Sequence, residues 1–280
     1  MSYGTLYIVA TPIGNLNDMT QRAIEVLHSV DFILCEDTRH SSILLEHFGI
    51  RKRLVSYFAH NEALRTDQFM PRLEEGQNAA LITDAGTPGV SDPGSRLVDA
   101  CLEAGIKVCP LPGACAVPTA VSASGFYRFT GFEFVAFFPR KSSERRSLFE
   151  SFASRETVLV GYESPQRLVS LLEDLIAVMG ERRRVCLCRE LTKKFESIER
   201  MTAGEMLSKW SDTPCKGELC LVIEGAEPEV NADKSALPSE AIKLIDLMKA
   251  REISARDIRD VVSSYFDVKP KAVYQYVIGG

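Results

Sequence analysis

Leu81-Ile-Thr-Asp-Ala-Gly-Thr-Pro-Gly-Val-Ser-Asp-Pro-Gly94 begins as an apolar strand and then becomes a loop. Residues 84–94 contain three glycines, two prolines and two aspartates, which is more than an ordinary surface turn needs. Glycine lets the backbone approach a ligand closely, proline stiffens the chain, and the amides between them are free to bind. A strand that leads through such a loop into a helix is typical of a ligand site in an α/β sheet. A tight connection that binds nothing is an equally good interpretation of one such loop.

The sequence around this loop alternates short apolar runs with helical patterns as far as residue 125. The apolar runs predict strands at 5–10, 32–35, 54–57, 79–83 and 107–111. The remaining patterns predict helices at 20–29, 39–48, 62–75, 94–104 and 116–124. Pro71 is expected to interrupt the third of these helices. Strands that are buried on both faces and separated by helices form parallel sheets, so residues 1–125 are predicted to be an α/β domain.

The pattern changes after residue 125. Strands are predicted at 134–138, 157–161, 185–189, 196–200 and 219–223, with helices only at 144–153 and 166–179. Consecutive strands with few helices between them indicate a mixed or antiparallel sheet, so residues 126–226 are predicted to form an α+β second domain that closes a cleft. The polar stretch 224–235 is a predicted linker. Residues 236–280 contain three short helices, which fit a helix-turn-helix-like unit or a plain helical cap equally well.

Composition and charge narrow the class of protein. No apolar run in the 280 residues approaches the roughly 20 residues that a membrane span needs. The eight cysteines form no CxxC pair and the four histidines have no metal-type spacing. We therefore expect reduced thiols, no metal site and a cytoplasmic protein that does not engage a membrane. The net charge of −5 disfavours indiscriminate nucleic-acid binding, yet basic residues cluster at 140–146 and 182–194, where solvated loops and a phosphate-binding face both fit.

Four loops that contain glycine or proline follow predicted strands, at 10–15, 84–94, 111–115 and 162–165. The carboxyl ends of parallel strands lie along one edge of a sheet, so the first three loops are expected to meet at one crevice. Neither GxxxxGK[ST] nor GxGxxG occurs in these loops, which argues against a nucleoside triphosphate or NAD. The predicted ligand is therefore one that is held mainly by backbone groups and apolar contacts.

Five motifs, taken in order along the chain, resemble a known family. They are Gly4-Thr-Leu-Tyr-Ile-Val-Ala-Thr-Pro-Ile-Gly-Asn15, Cys35-Glu-Asp-Thr-Arg39, the loop from Leu81 to Gly94, Tyr162-Glu-Ser-Pro-Gln-Arg167 and Cys188-Arg-Glu-Leu-Thr-Lys-Lys-Phe-Glu196. Together they are similar to the 16S ribosomal RNA ribose methyltransferases of the tetrapyrrole-methylase superfamily. The resemblance covers residues 4 to about 225, and the three-helix segment is also similar to the tail of those enzymes.

This resemblance implies a two-domain class III methyltransferase that binds S-adenosylmethionine in the cleft between its domains and forms a homodimer. The implied substrate is the 2′-hydroxyl of a cytidine in 16S ribosomal RNA, within the small ribosomal subunit. The implied cofactor-binding residues lie in the three loops: Thr11, Pro12, Ile13, Gly14, Asp84, Ala85, Gly86, Thr87, Val90, Gly113, Ala114, Cys115 and Ala116. The second loop departs from the superfamily, because Gly86-Thr87-Pro88 stands where Gly-Asp-Pro is usual.

A ribose hydroxyl is a poor nucleophile until it loses its proton, so a positioned base is expected beside the crevice. We rank Glu163 and Asp37 first as catalytic residues, because each lies in a polar cluster directly after an apolar strand. Asp84 and Glu190 are further candidates. Hydrogen bonding or helix capping is the alternative role for each of these carboxylates.

Substrate contacts are predicted from basic and aromatic side chains. The predicted substrate-binding residues are Arg39, Arg167 and Arg189. Their guanidinium groups suit phosphates, and surface ion pairs explain these residues equally well. The aromatic residues of segment 126–129 suit stacking on an unpaired base, although packing between the domains is their more ordinary role.

Two other functions fit parts of the sequence. A tetrapyrrole methylase shares the implied fold and cofactor, but the basic stretches and the extra C-terminal helices favour RNA. A non-catalytic regulator that binds nucleic acid through residues 238–280 leaves the cofactor loops unexplained. Binding of S-adenosylmethionine separates this last hypothesis from the first two.

Overall fold

The first half of the chain contains five strands: β1 (Thr5–Val9), β2 (Phe32–Cys35), β3 (Arg53–Ser56), β4 (Ala79–Leu81) and β5 (Lys107–Leu111). They pair in the order β3-β2-β4-β1-β5, and every pair is parallel. The predicted parallel sheet is therefore confirmed, and β4, which leads into the glycine-rich loop, lies at its centre. The computed structural model describes residues 3–129, 131–227, 237–266 and 268–279.

Helices cover both faces of this first sheet: α1 (Gln21–Ser29), α2 (Thr38–His47), α3 (Glu62–Glu74) and α4 (Ser95–Glu103). Successive residues of β2 enter different cores, because side chains alternate along a strand. Phe32 packs with residues of α3 and α4, whereas Ile33 packs with residues of α1 and α2. The alternation of short strands and helices in the sequence thus reflects a sheet that is buried on both sides.

The prediction that Pro71 interrupts its helix is wrong. Helix α3 continues through Pro71 to Glu74. A proline removes one backbone hydrogen bond from a helix. Phe69 and Leu73 on either side of it are 2% and 0% exposed in the core, and their burial keeps the last turn helical.

A second sheet contains β6 (Phe132–Phe137), β7 (Val158–Glu163), β8 (Arg184–Arg189), β9 (Ser197–Thr202) and β10 (Leu219–Ile223), in the order β6-β7-β10-β8-β9. The pair β6/β7 is parallel and the other three pairs are antiparallel, so the sheet is mixed, as predicted. The last strand in the chain, β10, lies at its centre.

One face of the second sheet is covered by helices α6 (Ser142–Phe152), α7 (Leu168–Met179) and α8 (Ala203–Ser211). The other face packs against α5 (Ala116–Ser124), which follows the first sheet. Helix α8 is not among the predicted helices. Its start is marked by a capping box, in which the Thr202 hydroxyl accepts from the Glu205 amide and the Glu205 carboxylate accepts from the Thr202 amide.

Helices α6 and α7 are joined by a buried ion pair. The Arg145 Nε donates to Asp174 Oδ2 at 2.8 Å, and the two side chains are only 5% and 4% exposed. Arg146 Nε and Ser142 Oγ both donate to Asp174 Oδ1 at 2.7 Å. Although burial alone raises the pKa of Asp174, these hydrogen bonds outweigh it and the pKa is lowered. Arg145 is therefore structural and fits neither interpretation of the basic stretch 140–146, whereas Arg146, whose side chain is 51% exposed, leaves both interpretations open.

Residues Met1–Ala226 form one compact unit and Glu227–Gly280 a second. The division of the first unit at residue 125 stays a prediction. Residues 228–236, most of the predicted linker, lie outside the described residues. Glu224 does not belong to a linker, because it is 6% exposed and its carboxylate accepts from Arg184 Nε at 2.7 Å.

The second unit consists of helices α9 (Ser239–Lys249), α10 (Ala255–Phe266) and α11 (Pro270–Gly279), as the sequence predicts. They enclose a small core of their own that includes Ile245, Ile258 and Val273, each 0% exposed. Across the parts of the chain that the structure describes, no helix is both long and apolar enough to cross a membrane.

Candidate functional site

A cavity of about 460 Å³ lies at the carboxyl edge of the first sheet, against the second sheet. The first half of the chain supplies Ile13, Glu36, Thr83, Asp84, Ala85, Gly86, Thr87, Val90, Ser91, Asp92, Cys115 and Ala116. The second half supplies Phe137, Tyr162, Glu163, Ser164, Pro165, Cys188, Leu191, Gly217, Glu218, Leu219 and Cys220. The cavity therefore forms where the predicted loops meet.

The predicted site residues divide into two groups. Those that line the cavity are Ile13, Asp84, Ala85, Gly86, Thr87, Val90, Cys115, Ala116 and Glu163. Those that do not line it are Thr11, Pro12, Gly14, Asp37, Arg39, Gly113, Ala114, Arg167 and Arg189. The binding and catalytic roles of both groups stay predictions. In the second group, Thr11 and Ala114 make hydrogen bonds that hold the loops of the cavity wall together.

Hydrogen bonds hold the three loops of the first sheet together. The backbones of Thr11 and Gly86 exchange two hydrogen bonds, at 2.8 and 3.0 Å, and the Thr11 hydroxyl donates to the Thr83 carbonyl at 2.9 Å. The Thr87 hydroxyl donates to the Ala114 carbonyl at 3.1 Å. Thr87, the residue that departs from the superfamily pattern, thus ties the second loop to the third.

The third loop lies tightly against the end of β1. A Cβ atom at Gly113 would lie 2.7 Å from the Cβ of Ala10, a distance that real Cβ atoms essentially never show. The contacted atom is fixed to the backbone and has no rotamer by which to move away. Glycine at 113 is therefore required by the close approach of the two segments.

We expect Gly113→Ala to lower the free energy of unfolding by about 1–3 kcal/mol, the usual effect of overpacking. Denaturant unfolding measures this change. Gly131→Ala is the matched control, because no described atom lies within 4 Å of a Cβ built there. Equal stability of the two variants would contradict the close contact.

Five carboxylates give the cavity an acidic character: Glu36, Asp84, Asp92, Glu163 and Glu218. Among the described residues, no lysine or arginine lines it. Burial raises the pKa of Glu36 and of Asp92, and the charge of the neighbouring Asp84 adds to both shifts. Such a cavity attracts a cationic ligand.

Glu163 ends strand β7 and is the most deeply buried of these acids. Its side chain is 0% exposed, its Oε1 accepts from the Ser164 amide at 2.7 Å, and the carboxylate pairs with Arg167. Its Oε2 has no hydrogen-bond partner within the described ranges. Burial raises the pKa of Glu163, and the hydrogen bonds from Ser164 and Arg167 offset only part of that rise. This environment suits a general base.

Asp37 has a different environment. Its carboxylate caps helix α2 by accepting from the Arg39 amide at 2.8 Å, and Arg39 Nη2 donates to its other oxygen at 2.8 Å. Hydrogen bonds from Arg39 lower the pKa of Asp37 to about 2. A carboxylate that is so acidic takes up a proton poorly. The geometry therefore favours Glu163 over Asp37 as the base.

Three other predicted residues have partners in the protein. Glu190 accepts from the Glu218 amide at 2.9 Å and from Lys193 Nζ at 3.0 Å, and the hydrogen bond from Glu218, followed by that from Lys193, lowers its pKa. Arg189 Nε donates to Ser197 Oγ at 3.1 Å, and Arg167 is paired with Glu163. Arg39, whose side chain is 90% exposed, remains the most accessible of the three predicted substrate-binding arginines.

The sequence is similar to those of known methyltransferases. Residues 5–207 match the family described as tetrapyrrole (corrin/porphyrin) methylases. A protein of Escherichia coli is 45% identical over 279 residues, 99% of this chain and 96% of its own, and one of Synechocystis is 47% identical over 226 residues, 81% of each chain. Both are named ribosomal RNA small subunit methyltransferase I.

The fold also resembles that of a solved structure. A uroporphyrin-III-C-methyltransferase from Thermus thermophilus superposes with a TM-score of 0.54 over 78% of this chain and 94% of its own. Its sequence is 21% identical, so this likeness concerns the fold alone.

Proposed function

The chain belongs to the tetrapyrrole (corrin/porphyrin) methylase family, and from its relatives named ribosomal RNA small subunit methyltransferase I we propose that it is an enzyme that methylates the ribosomal RNA of the small ribosomal subunit. The finer proposal is transfer of a methyl group from S-adenosylmethionine to the 2′-hydroxyl of a cytidine in 16S ribosomal RNA. We further propose that the enzyme is a cytoplasmic homodimer. The observation that carries the proposal is the acidic cavity in which the buried Glu163 lies.

The residues of the cavity fit S-adenosylmethionine. Its volume of about 460 Å³ lies within the range of about 300–1,000 Å³ that is usual for small-molecule sites. When bound, this cofactor supplies a methyl group on a positively charged sulfur. Glu36, Asp84 and Asp92 would face that charge, and the loops at 11–14, 84–90 and 113–116 would hold the remainder of the molecule through backbone groups.

The protein's own part in the reaction is to orient the ribose hydroxyl and remove its proton. Glu163 accepts that proton on Oε2, the oxygen without a hydrogen-bond partner among the described residues. Its raised pKa brings it nearer to neutral pH than an ordinary carboxylate, which improves a general base. Arg167 holds Oε1 and fixes the orientation of the carboxylate.

The tetrapyrrole alternative has less support. The relatives named after ribosomal RNA match nearly the whole chain, whereas the likeness to the uroporphyrin enzyme concerns the fold alone.

Radiolabelled methyl transfer tests the proposed function. We expect label from S-adenosylmethionine to appear in the RNA of small ribosomal subunits, with free 16S RNA and a uroporphyrinogen as the compared substrates. A 2′-O-methylated nucleotide resists alkaline cleavage, so the modified position is read as a gap in the hydrolysis ladder. Label in the tetrapyrrole alone would overturn the proposal, and sedimentation of the free enzyme tests the dimer.

A further inference from the structure

Strand β6, at the edge of the second sheet, contains a bulge. Phe134 pairs with Val160 and Phe137 pairs with Tyr162, so Val135 and Ala136 together lie opposite one residue of β7. Ala136 has a φ of 56°, in the left-handed region that residues other than glycine seldom adopt. Bulges of this kind often re-aim a side chain beside an active site.

The bulge changes which face Phe137 occupies. Side chains alternate along a strand, so without the extra residue Phe137 would share a face with Val135, which packs on the core under α6 and α7. With the bulge, the ring of Phe137 instead meets that of Tyr162, at 5.5 Å between centroids. Phe138 then enters the core, where it is 1% exposed.

The next strand is adapted to this arrangement. A Cβ atom at Gly161 would lie 2.7 Å from the Phe138 ring and 3.0 Å from a methyl group of Val135. The absence of a side chain at 161 therefore leaves room for both residues. The strained Ala136 is held in place by this packing, and its effect is to keep Phe137 out of the core.

Phe137 is 59% exposed although it lines the cavity. It therefore lies at the mouth. The Tyr162 ring supports it on one side and also contacts Phe134, at 5.2 Å between centroids. Tyr162, the residue of β7 that pairs with Phe137, immediately precedes Glu163. An exposed, fixed aromatic ring thus stands beside the proposed base.

We propose that Phe137 is the surface on which the base of the target nucleotide stacks while its ribose reaches Glu163. The inference rests on the proposed function. Proteins that bind unpaired RNA bases commonly stack them on aromatic side chains, and stacking requires no positive charge in a cavity that is otherwise acidic. Stacking on the aromatic residues of segment 126–129 stays a prediction: Phe126 is 7% exposed and Tyr127 is 83% exposed, and no residue of that segment lines the cavity.

The test compares Phe137→Ala, Phe137→Trp and Phe132→Ala. Phe132 is the matched control, because it lies on the same strand, is 47% exposed and does not line the cavity. Phe137→Ala should raise the KM for small subunits roughly 5- to 150-fold, the loss that one base–aromatic stack gives, with kcat reduced less. Phe137→Trp should keep the KM near the wild-type value. The Kd for S-adenosylmethionine, measured by calorimetry, should stay within about twofold of the wild-type value in all three variants.

Each remaining outcome decides against the inference. A KM for Phe137→Ala equal to that of Phe132→Ala would overturn it. So would a raised Kd for S-adenosylmethionine with an unchanged KM, which would assign the ring to the cofactor. A wild-type enzyme that methylates no subunit RNA would overturn the proposed function and the inference with it, whereas an active wild type with an unaffected Phe137→Ala overturns the inference alone.

Discussion

Glu163→Gln is expected to lower the rate of methyl transfer to small ribosomal subunits by roughly 10²- to 10⁴-fold, the contribution of a positioned general base. Glutamine has nearly the same shape and can still accept hydrogen bonds from Ser164 and Arg167, but it cannot take up the proton. Single-turnover assays with radiolabelled S-adenosylmethionine measure this rate without interference from product release. Cofactor binding by the variant should remain, because the change removes no cavity wall.

Two control variants make this result specific. Glu133→Gln changes a carboxylate of the same sheet that is 49% exposed and pairs with Arg155, and its activity should match the wild type. Asp37→Asn keeps a side chain that caps helices well, so both stability and activity should be nearly normal. A loss for Asp37→Asn as large as that for Glu163→Gln, or near-normal turnover of the latter, would refute Glu163 as the base.

The pH dependence of the rate of methyl transfer tests the role of Glu163 independently. Glu163 acts as a base only when it is deprotonated, so the rate should fall as the pH drops through its pKa. Burial raises that pKa, which places the fall at a higher pH than an ordinary glutamate would give. The residual activity of Glu163→Gln should lack this acid limb.

Asp174→Ala is expected to destabilise the protein by about 3–5 kcal/mol, because it leaves the buried guanidinium of Arg145 without its counter-ion. The side chain of Arg145 is 5% exposed, and the carbonyls of Pro139 and Arg140, which it also contacts, carry no net charge. Denaturant unfolding measures the change. Glu144→Ala, which breaks the exposed ion pair between α6 and the preceding residue Lys141, should cost at most about 1 kcal/mol.

A double variant separates the charge from the packing. Arg145→Met combined with Asp174→Leu removes both charges and should recover much of the lost stability, since well-packed apolar residues often replace a buried ion pair without loss. A loss below about 1 kcal/mol for Asp174→Ala alone would mean that Arg145 reaches solvent.

The first sheet and its loops could be predicted because their signals are local. A short apolar run followed by glycine and proline indicates a strand end, and the carboxyl ends of parallel strands share one edge. That rule predicts that the loops of Ile13, Thr87 and Cys115 meet, and these three residues line one cavity. The start of helix α8 has an equally local signal, the capping pair Thr202 and Glu205. The pair directly follows the predicted strand 196–200, and the helix is therefore not predicted.

The remaining wall of the cavity depends on pairing between distant residues. Leu219 and Cys220 reach it only because β10 enters between β7 and β8, an order that no local pattern specifies. Phe137 reaches it through the left-handed conformation of Ala136, a residue with no sequence signal for that state. Likewise, a run of basic residues does not tell a buried Arg145 from an exposed one, because burial is decided by what packs over it.

The central place of β10 has a consequence for how newly made chains mature. Until residue 223 is available, β7 and β8 each lack the neighbour that satisfies one side of their backbone, and such open edges invite pairing with other chains. The second sheet therefore cannot be completed until residue 223 has been made, whereas every strand of the first sheet precedes residue 112. Shortened forms that remove the C-terminal helices should accordingly end after Ala226, and any that stop before Leu219 should aggregate.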